Sequence, residues 1–151
     1  MIKIMFVCLG NICRSPMAEF VLKDMIKKKG LEKEFLIKSS ATSSEELGND
    51  IHYAAKDKLI ERGIAFEKRK ATKLKKEDYD KYDYIIGMEE RNIYNILRIV
   101  GEDKENKVCK LLDFSNNPRD IADPWYTGNF ENTYRDIVVG LEGLLRFLNV
   151  N

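Results

Sequence analysis

The sequence predicts an α/β protein, a four-stranded and mainly parallel sheet with helices on both faces. Short apolar runs at 2–7, 35–37, 82–88 and 108–112 alternate with longer segments whose apolar residues recur at helical spacing. Strands joined through helices build parallel sheets covered on both sides. The chain has 151 residues, enough for one domain (1–151) with a real core, and it shows no linker, repeat or low-complexity segment.

Each element has its own local justification. Ile2, Ile4, Met5, Phe6 and Val7 read as a buried first strand, and Ala18, Val21, Leu22, Met25 and Ile26 as the inner side of a helix over 16–29. Ser15-Pro16 is a suitable opening: serine accepts an orphan N–H, and proline lacks one at a position that needs none. Lys27-Lys28-Lys29-Gly30 closes the helix as a solvated, dipole-matched end. Residues 35–37 form the second strand and run into a polar loop at 39–49. A second helix over 50–62 turns Ile51, Ala54, Ala55 and Leu59 inward and stops at Gly63, with His52 near its start as a structural residue. Ile64-Ala65-Phe66 and Lys68-Arg69-Lys70 lead into a further short strand. The central strand at 82–88 is followed by a helix over 89–100 (Ile93, Ile96, Leu97, Val100). After the last strand at 108–112, Asn116-Asn117-Pro118 and Asp123-Pro124 mark a long irregular loop, a kind of segment that is usually functional in a compact domain. The final helix, 131–148, buries Tyr134, Ile137, Val138, Leu141, Leu144, Leu145 and Leu148.

Composition narrows the function classes. A net charge of +1 gives no bulk attraction to nucleic acid or an acidic membrane, and no stretch is apolar enough to span a bilayer. The first apolar run is too short for a secretory segment. With three cysteines, an odd and sparse count, this points to a reducing, cytoplasmic setting. His52 is the only histidine, which leaves too few soft ligands for zinc; no metal or cofactor is expected.

The chemistry gathers at Val7-Cys8-Leu9-Gly10-Asn11-Ile12-Cys13-Arg14-Ser15-Pro16, where a strand ends and a helix begins. Backbone N–H groups converge at such a junction and the helix dipole favours an anion. Five residues separate Cys8 from Arg14. The thiolate of Cys8 is favoured beside an arginine and inward N–H groups, and a guanidinium grips a tetrahedral oxyanion in bidentate fashion. Gly10 permits positive φ or close approach, and Asn11 tolerates the left-handed region. A thiolate beneath a bound phosphate is placed for in-line attack, the arrangement of a cysteine-dependent phosphatase. The phosphate-binding loop would then be Leu9 to Ser15, after strand 1. The leaving oxygen needs a proton from a carboxylic acid, and Asp113, Asp120 and Asp123 lie in the right region. Asp123 is favoured, because Pro124 restrains its loop and aromatic residues follow it.

Cys8-Leu9-Gly10-Asn11-Ile12-Cys13-Arg14-Ser15, Ser39-Ser40-Ala41-Thr42-Ser43, Tyr82-Asp83-Tyr84-Ile85-Ile86-Gly87-Met88 and Asp123-Pro124-Trp125-Tyr126 resemble, in order, the low-molecular-weight protein tyrosine phosphatases. The resemblance implies hydrolysis of phosphotyrosine in proteins through a phosphocysteine on Cys8. Arg14 would clamp the phosphate, and Asp123 would serve as general acid and then base. Inorganic phosphate would be product and inhibitor. Asn11, Ser15 and Ser39 correspond to the hydrogen bonds that hold the loop in shape, and Ser15 to a donor for the Cys8 thiolate. Trp125 and Tyr126 would wall the pocket, and Cys13 would be the redox partner of Cys8. Three departures stand out. Glu45 occupies the place of an aromatic wall residue. A histidine of the loop-holding network is missing, with Lys68, Arg69 and Lys70 in its region. Glu89 follows Met88 where relatives have Asp, so Glu89 with a neighbouring basic residue is expected to replace the lost contact. The same fold and loop also serve arsenate reductases, which need a resolving cysteine pair that 66–100 lacks, and phosphoarginine phosphatases, which carry Thr where Ile12 stands. A non-catalytic phosphate-binding module is disfavoured by the presence of Cys8, Arg14 and Asp123 together.

Overall fold

The computed structural model describes residues 1–151. Strand β1 (Ile2–Cys8) lies in the middle of the sheet, between β2 (Phe35–Ala41) and β3 (Tyr84–Gly87), and β4 (Val108–Lys110) extends it beyond β3. All three pairings are parallel, so the sheet is wholly rather than mainly parallel. Pleating sends alternate β1 side chains to opposite faces. Ile4, Phe6 and Cys8 join the larger core under α1 (Arg14–Lys28), α2 (Tyr53–Glu61) and α6 (Phe130–Phe147). Met5 and Val7 meet a smaller core under α3 (Asp78–Lys81) and α4 (Glu90–Val100). With no polar position on its face-forming stretch from Ile4 to Val7, β1 fits the strand that both layers cover.

The register places the site. Cys8 pairs with Ala41 and Phe6 with Ser39, which puts Ser39 on the same face as Cys8, toward α1. The second strand thus runs four residues beyond 37, and Ser39 to Ala41 belong to it rather than to the polar loop. The short strand expected after 64–70 does not form: that stretch makes one bridge, Ala41 with Lys73. Its polar groups serve loops instead, Ala71 N–H bonding the Asn49 carbonyl and Thr72 N–H the Asn11 side chain. The last strand is shortened to Val108–Lys110 because residues from Leu111 to Phe114 coil into a 3-10 turn. A Cβ on Gly140 would sit 2.5 Å from Leu111 Cγ, and one on Gly143 would fall on the Phe114 carbonyl. These glycines let α6 press on that turn, from which the loop carrying Asp123 departs.

The opening of α1 departs from the sequence expectation. The helix starts at Arg14, its cap residue Cys13 makes no side-chain capping bond, and Ser15 lies inside the first turn. The Ser15 hydroxyl faces Cys8 instead. No helix of the structure is long and apolar enough to cross a membrane.

Candidate active site

Residues between β1 and α1 form a closed loop because its carbonyls are held from outside. Thr42 N–H bonds the Cys8 carbonyl at 3.0 Å, Ser43 N–H that of Leu9 at 2.9 Å, and His52 N–H that of Ile12 at 2.9 Å. Arg69 Nη2 donates to the Asn11 carbonyl at 2.7 Å. The N–H groups of Leu9, Gly10, Ile12 and Cys13 take no partner within the chain. Carbonyls turned outward and free N–H groups at a helix N-terminus make an anion cradle.

Asn11 is the keystone. It is fully buried with φ 59°, a conformation that asparagine accepts better than most residues. Its Nδ2 donates to Ser15 Oγ at 2.7 Å and to Ser39 Oγ at 3.0 Å, and its Oδ1 accepts from Thr72 N–H. Ser39 in turn donates to Glu19, a buried acid of α1. Gly10 has no positive φ; it allows close approach, since a Cβ there would lie 3.3 Å from Glu46 Cγ and crowd that side chain.

Three donors converge on Cys8 Sγ: Asn11 N–H at 3.3 Å, Ser15 N–H at 3.4 Å and the Ser15 hydroxyl at 3.1 Å. Ser15 Oγ already accepts from Asn11, so its own hydrogen is free to point at the sulfur. Bonds donated to an anion favour it, which suits a thiolate nucleophile. Cys13 differs. Burial first, then the charges of Cys8 and Asp123, push its thiol up to about 12 against the opposite pull of Arg14, with Glu46 adding a last increment. Cys109 is likewise raised to about 12 by burial, then by Asp113 and Asp103. Cys8 is therefore the thiol with the setting of a nucleophile, and all three cysteines are free.

Arg14 is 2% exposed. Nη1 donates to the Ile121 carbonyl at 2.9 Å and to Glu89 Oε2 at 3.1 Å, while Nη2 reaches Asp123 Oδ2 at 3.3 Å. Burial of a guanidinium requires such partners. Asp123 caps α5 (Pro124–Thr127) by accepting from Trp125 N–H at 3.0 Å, with Pro124 at the first helical position. Trp125 and Tyr126 are 56% and 76% exposed, so they line the pocket rather than the core. The pocket, about 120 Å³, brings together Cys8, Arg14, Asp123 and these two aromatics. Asp120 and Asp113 lie outside it. Asp120 accepts from Glu90 N–H and pairs with Lys110, and Asp113 accepts from Lys110 N–H.

The expected replacement of the missing histidine by Glu89 and a neighbouring base does not occur as one contact. Glu89 caps α4 and pairs with Arg14, while Arg69 alone enters the loop network. The geometry separates them because Glu89 follows β3 and Arg69 reaches the loop from the far side of β2. Burial lowers the Arg69 guanidinium, against the opposing pull of Glu19, Asp50 and Cys8. Sequence reasoning missed Glu19, Thr72, Ile121 and Glu46. For Glu19 alone there was a signal, an acid adjoining the inward stripe at Ala18 and Leu22. His52 is a helix cap, Nδ1 accepting from Ala54 N–H at 3.2 Å, and its ring stacks on Phe130 and meets Trp125 edge-on at 5.3 Å. No group of three or more His, Cys, Asp or Glu side chains could hold a metal ion.

Comparison with known proteins agrees with this geometry. A family model described as low molecular weight phosphotyrosine protein phosphatase matches residues 3–151. The chain is 40% identical over 147 residues to low molecular weight protein-tyrosine-phosphatase YfkJ of Bacillus subtilis (strain 168), covering 96% of this chain and 94% of that protein. It is 34% identical over 149 residues to PtpA, of the same description, from Staphylococcus aureus, covering 98% and 94%. The crystal structure of YfkJ superposes with a TM-score of 0.94 at 38% identity over 99% of this chain and 95% of that one. SP-PTP, the low molecular weight protein tyrosine phosphatase from Streptococcus pyogenes, gives 0.88 at 36% over 98% and 93%. With a cradle of free amides closed by Arg14 around the Cys8 sulfur, and relatives matched along nearly its whole length, this chain belongs to the low molecular weight phosphotyrosine protein phosphatase family.

Proposed function

We propose that the chain, as one domain, hydrolyses phosphotyrosine in proteins through a phosphocysteine on Cys8. The observation that carries this reading is the convergence of three donors on Cys8 Sγ inside a loop whose free N–H groups and Arg14 suit a tetrahedral dianion. The Cys8 thiolate attacks phosphorus as the bond to the phenolic oxygen breaks, and Asp123, as the acid, protonates the departing phenolate. Arg14 and the loop amides hold the equatorial oxygens, supplying charge stabilisation where it develops. The incoming phosphate competes with Asp123 for Arg14 Nη2. The existing contact, 3.3 Å, is at the long end for such a bond. In the second step Asp123 takes a proton from water, the water oxygen attacks phosphorus, and the S–P bond breaks. Ser15 donates to the departing thiolate, and inorganic phosphate leaves.

Pocket form favours an aryl ester. Cys8 is buried at the base, and Trp125 and Tyr126 offer exposed rings to a phenyl group. Ile12 lines the pocket where a phosphoarginine enzyme would carry a hydroxyl, which argues for an apolar ring. A thiol relay of the arsenate reductase type lacks its resolving cysteine pair, since 66–100 holds no cysteine and Cys109 lies on β4, outside the pocket lining. Free cysteines suit a reducing cytoplasm, and tyrosine-phosphorylated proteins are the expected partners. The test is hydrolysis of phenyl phosphate and a phosphotyrosine peptide by wild type, Cys8→Ser and Asp123→Ala in EDTA. Wild type should turn over, with vanadate and phosphate inhibiting competitively, and Cys8→Ser should be inactive. Activity lost in EDTA and restored by a divalent ion, or retained by Cys8→Ser, would overturn the mechanism.

A further inference from the structure

Charge at the pocket is unbalanced. Among its twelve lining residues Arg14 is the single cation, against the carboxylates of Asp123, Glu45 and Glu46. Arg14 is moreover already shared between Asp123 and Glu89, which lies behind it. Glu45 and Glu46 hold no cation of this chain: neither enters an ion pair, and the Glu46 carboxylate accepts only from the Asn49 side-chain amide, at 2.7 Å. Glu46 lies against the phosphate loop itself, its Cγ 3.3 Å from the place a Gly10 Cβ would take. Glu45 is exposed, its N–H bonded to the Ser43 hydroxyl, which leaves its carboxylate toward solvent at the mouth.

A phosphate ester brings further negative charge into this mouth. The loop amides answer the charge on the phosphate but not that of Glu45 and Glu46. We infer that Glu45 and Glu46 are specificity-determining residues that select phosphotyrosine flanked by lysine or arginine. Cations on either side of the phosphotyrosine meet the two unpaired carboxylates, whereas acidic flanks add like charge to like. Charges of this kind at a rim act mainly through association, and salt screens them. Trp125 and Tyr126 bind the ring without regard to flanking charge, so the selection rests with the loop after β2.

This inference rests on the phosphotyrosine reading above, and the experiment separates the two. Three phosphotyrosine peptides of equal length, with lysine, glycine or glutamate on both sides, are compared with phenyl phosphate at about 20 mM and about 500 mM ionic strength. At low salt the lysine peptide should exceed the glutamate peptide in kcat/KM by about tenfold, within the usual strength of two exposed pairs. The ratio should shrink toward one at high salt and in Glu45→Gln/Glu46→Gln, and invert in Glu45→Lys/Glu46→Lys. Equal kcat/KM for the three peptides with wild type, or a preference unchanged in the double glutamine variant, would overturn the inference and leave the phosphatase reading intact. Failure to hydrolyse any of the peptides, or phenyl phosphate, would sink the phosphatase reading and the inference with it.

Discussion

Arg69 donates to the backbone carbonyl of Asn11 at 2.7 Å, joining residues 58 positions apart and bracing the left-handed turn of the phosphate loop from outside. Its Nη1 also reaches the Asn49 carbonyl at 3.4 Å. Removing it strips a buried carbonyl of its donor, a loss of about 1–3 kcal/mol, and takes a positive charge from the neighbourhood of Cys8. Arg69→Ala should lower kcat/KM about tenfold or more, with Arg69→Lys recovering part of it because lysine keeps the charge and loses the fork. Unchanged kcat/KM in Arg69→Ala would show that the loop holds its shape without this bond.

Asp123 is placed beside Arg14 and the pocket aromatics, while Asp120 and Asp113 are occupied outside it. Asp123→Ala should slow esters of poorly leaving phenols by about 10²–10⁴-fold and leave those of strongly acidic phenols much less affected. A uniform loss across a series of leaving groups would show that Asp123 acts only through the capping of α5 and the ion pair with Arg14.

Cys13 sits in the same loop as Cys8 and is buried. Peroxide converts a Cys8 thiolate to a sulfenic acid, and the Cys13 thiol can displace water from it to form a disulfide, provided the Cα atoms lie within about 7 Å. Peroxide should therefore inactivate the enzyme, dithiothreitol should restore it, and bound phosphate should protect it. Cys13→Ser should start active but recover poorly. Equal recovery of both, with no Cys8–Cys13 linked peptide by mass spectrometry, returns Cys13 to a packing role.

Glu131 ties α2 to α6. Bonds from Arg62 and then Lys58, against the opposing effect of burial and with further help from Arg135, hold its carboxyl down at about 2 from an ordinary 4.5. A carboxyl lowered in the folded state stabilises the fold above the unfolded value, and that contribution fades as pH falls through the folded value. The melting temperature of wild type should thus drop between about pH 5 and 2 more steeply than that of Glu131→Gln. The two curves should be furthest apart near neutral pH and converge below pH 2. Parallel curves would show that the cluster contributes no linkage.

Local pattern was enough for much of this protein. Apolar runs at β1 and β3 announce strands covered on both faces, and the spacing of Ile137, Leu141, Leu144 and Leu145 announces the buried stripe of α6. The spacing of Cys8 and Arg14 across a strand-to-helix junction, with Gly10 and Asn11 between, announces the loop of free amides between β1 and α1. All of these are short-range features, decided by periodicity and by the φ preferences of neighbouring residues.

The partners of those residues were settled only by tertiary structure. Ser15 has the chemistry of a helix cap, yet its hydroxyl goes to Cys8 because the loop closes over it. Glu89 and Arg69 both lie near the site in sequence logic, but Glu89 follows β3 on one flank of β1 and Arg69 arrives beyond β2 on the other. One therefore pairs with Arg14, 75 positions away, and the other with the Asn11 carbonyl. Residues 64–72 look extended and partly apolar, but the N–H groups of Arg69, Ala71 and Thr72 go to Asp50, Asn49 and Asn11 in neighbouring loops, and only the bridge of Ala41 with Lys73 forms. A buried donor or charge must be satisfied by whatever the fold brings within about 3 Å, and that neighbour is chosen by strand register and helix packing rather than by adjacent residues.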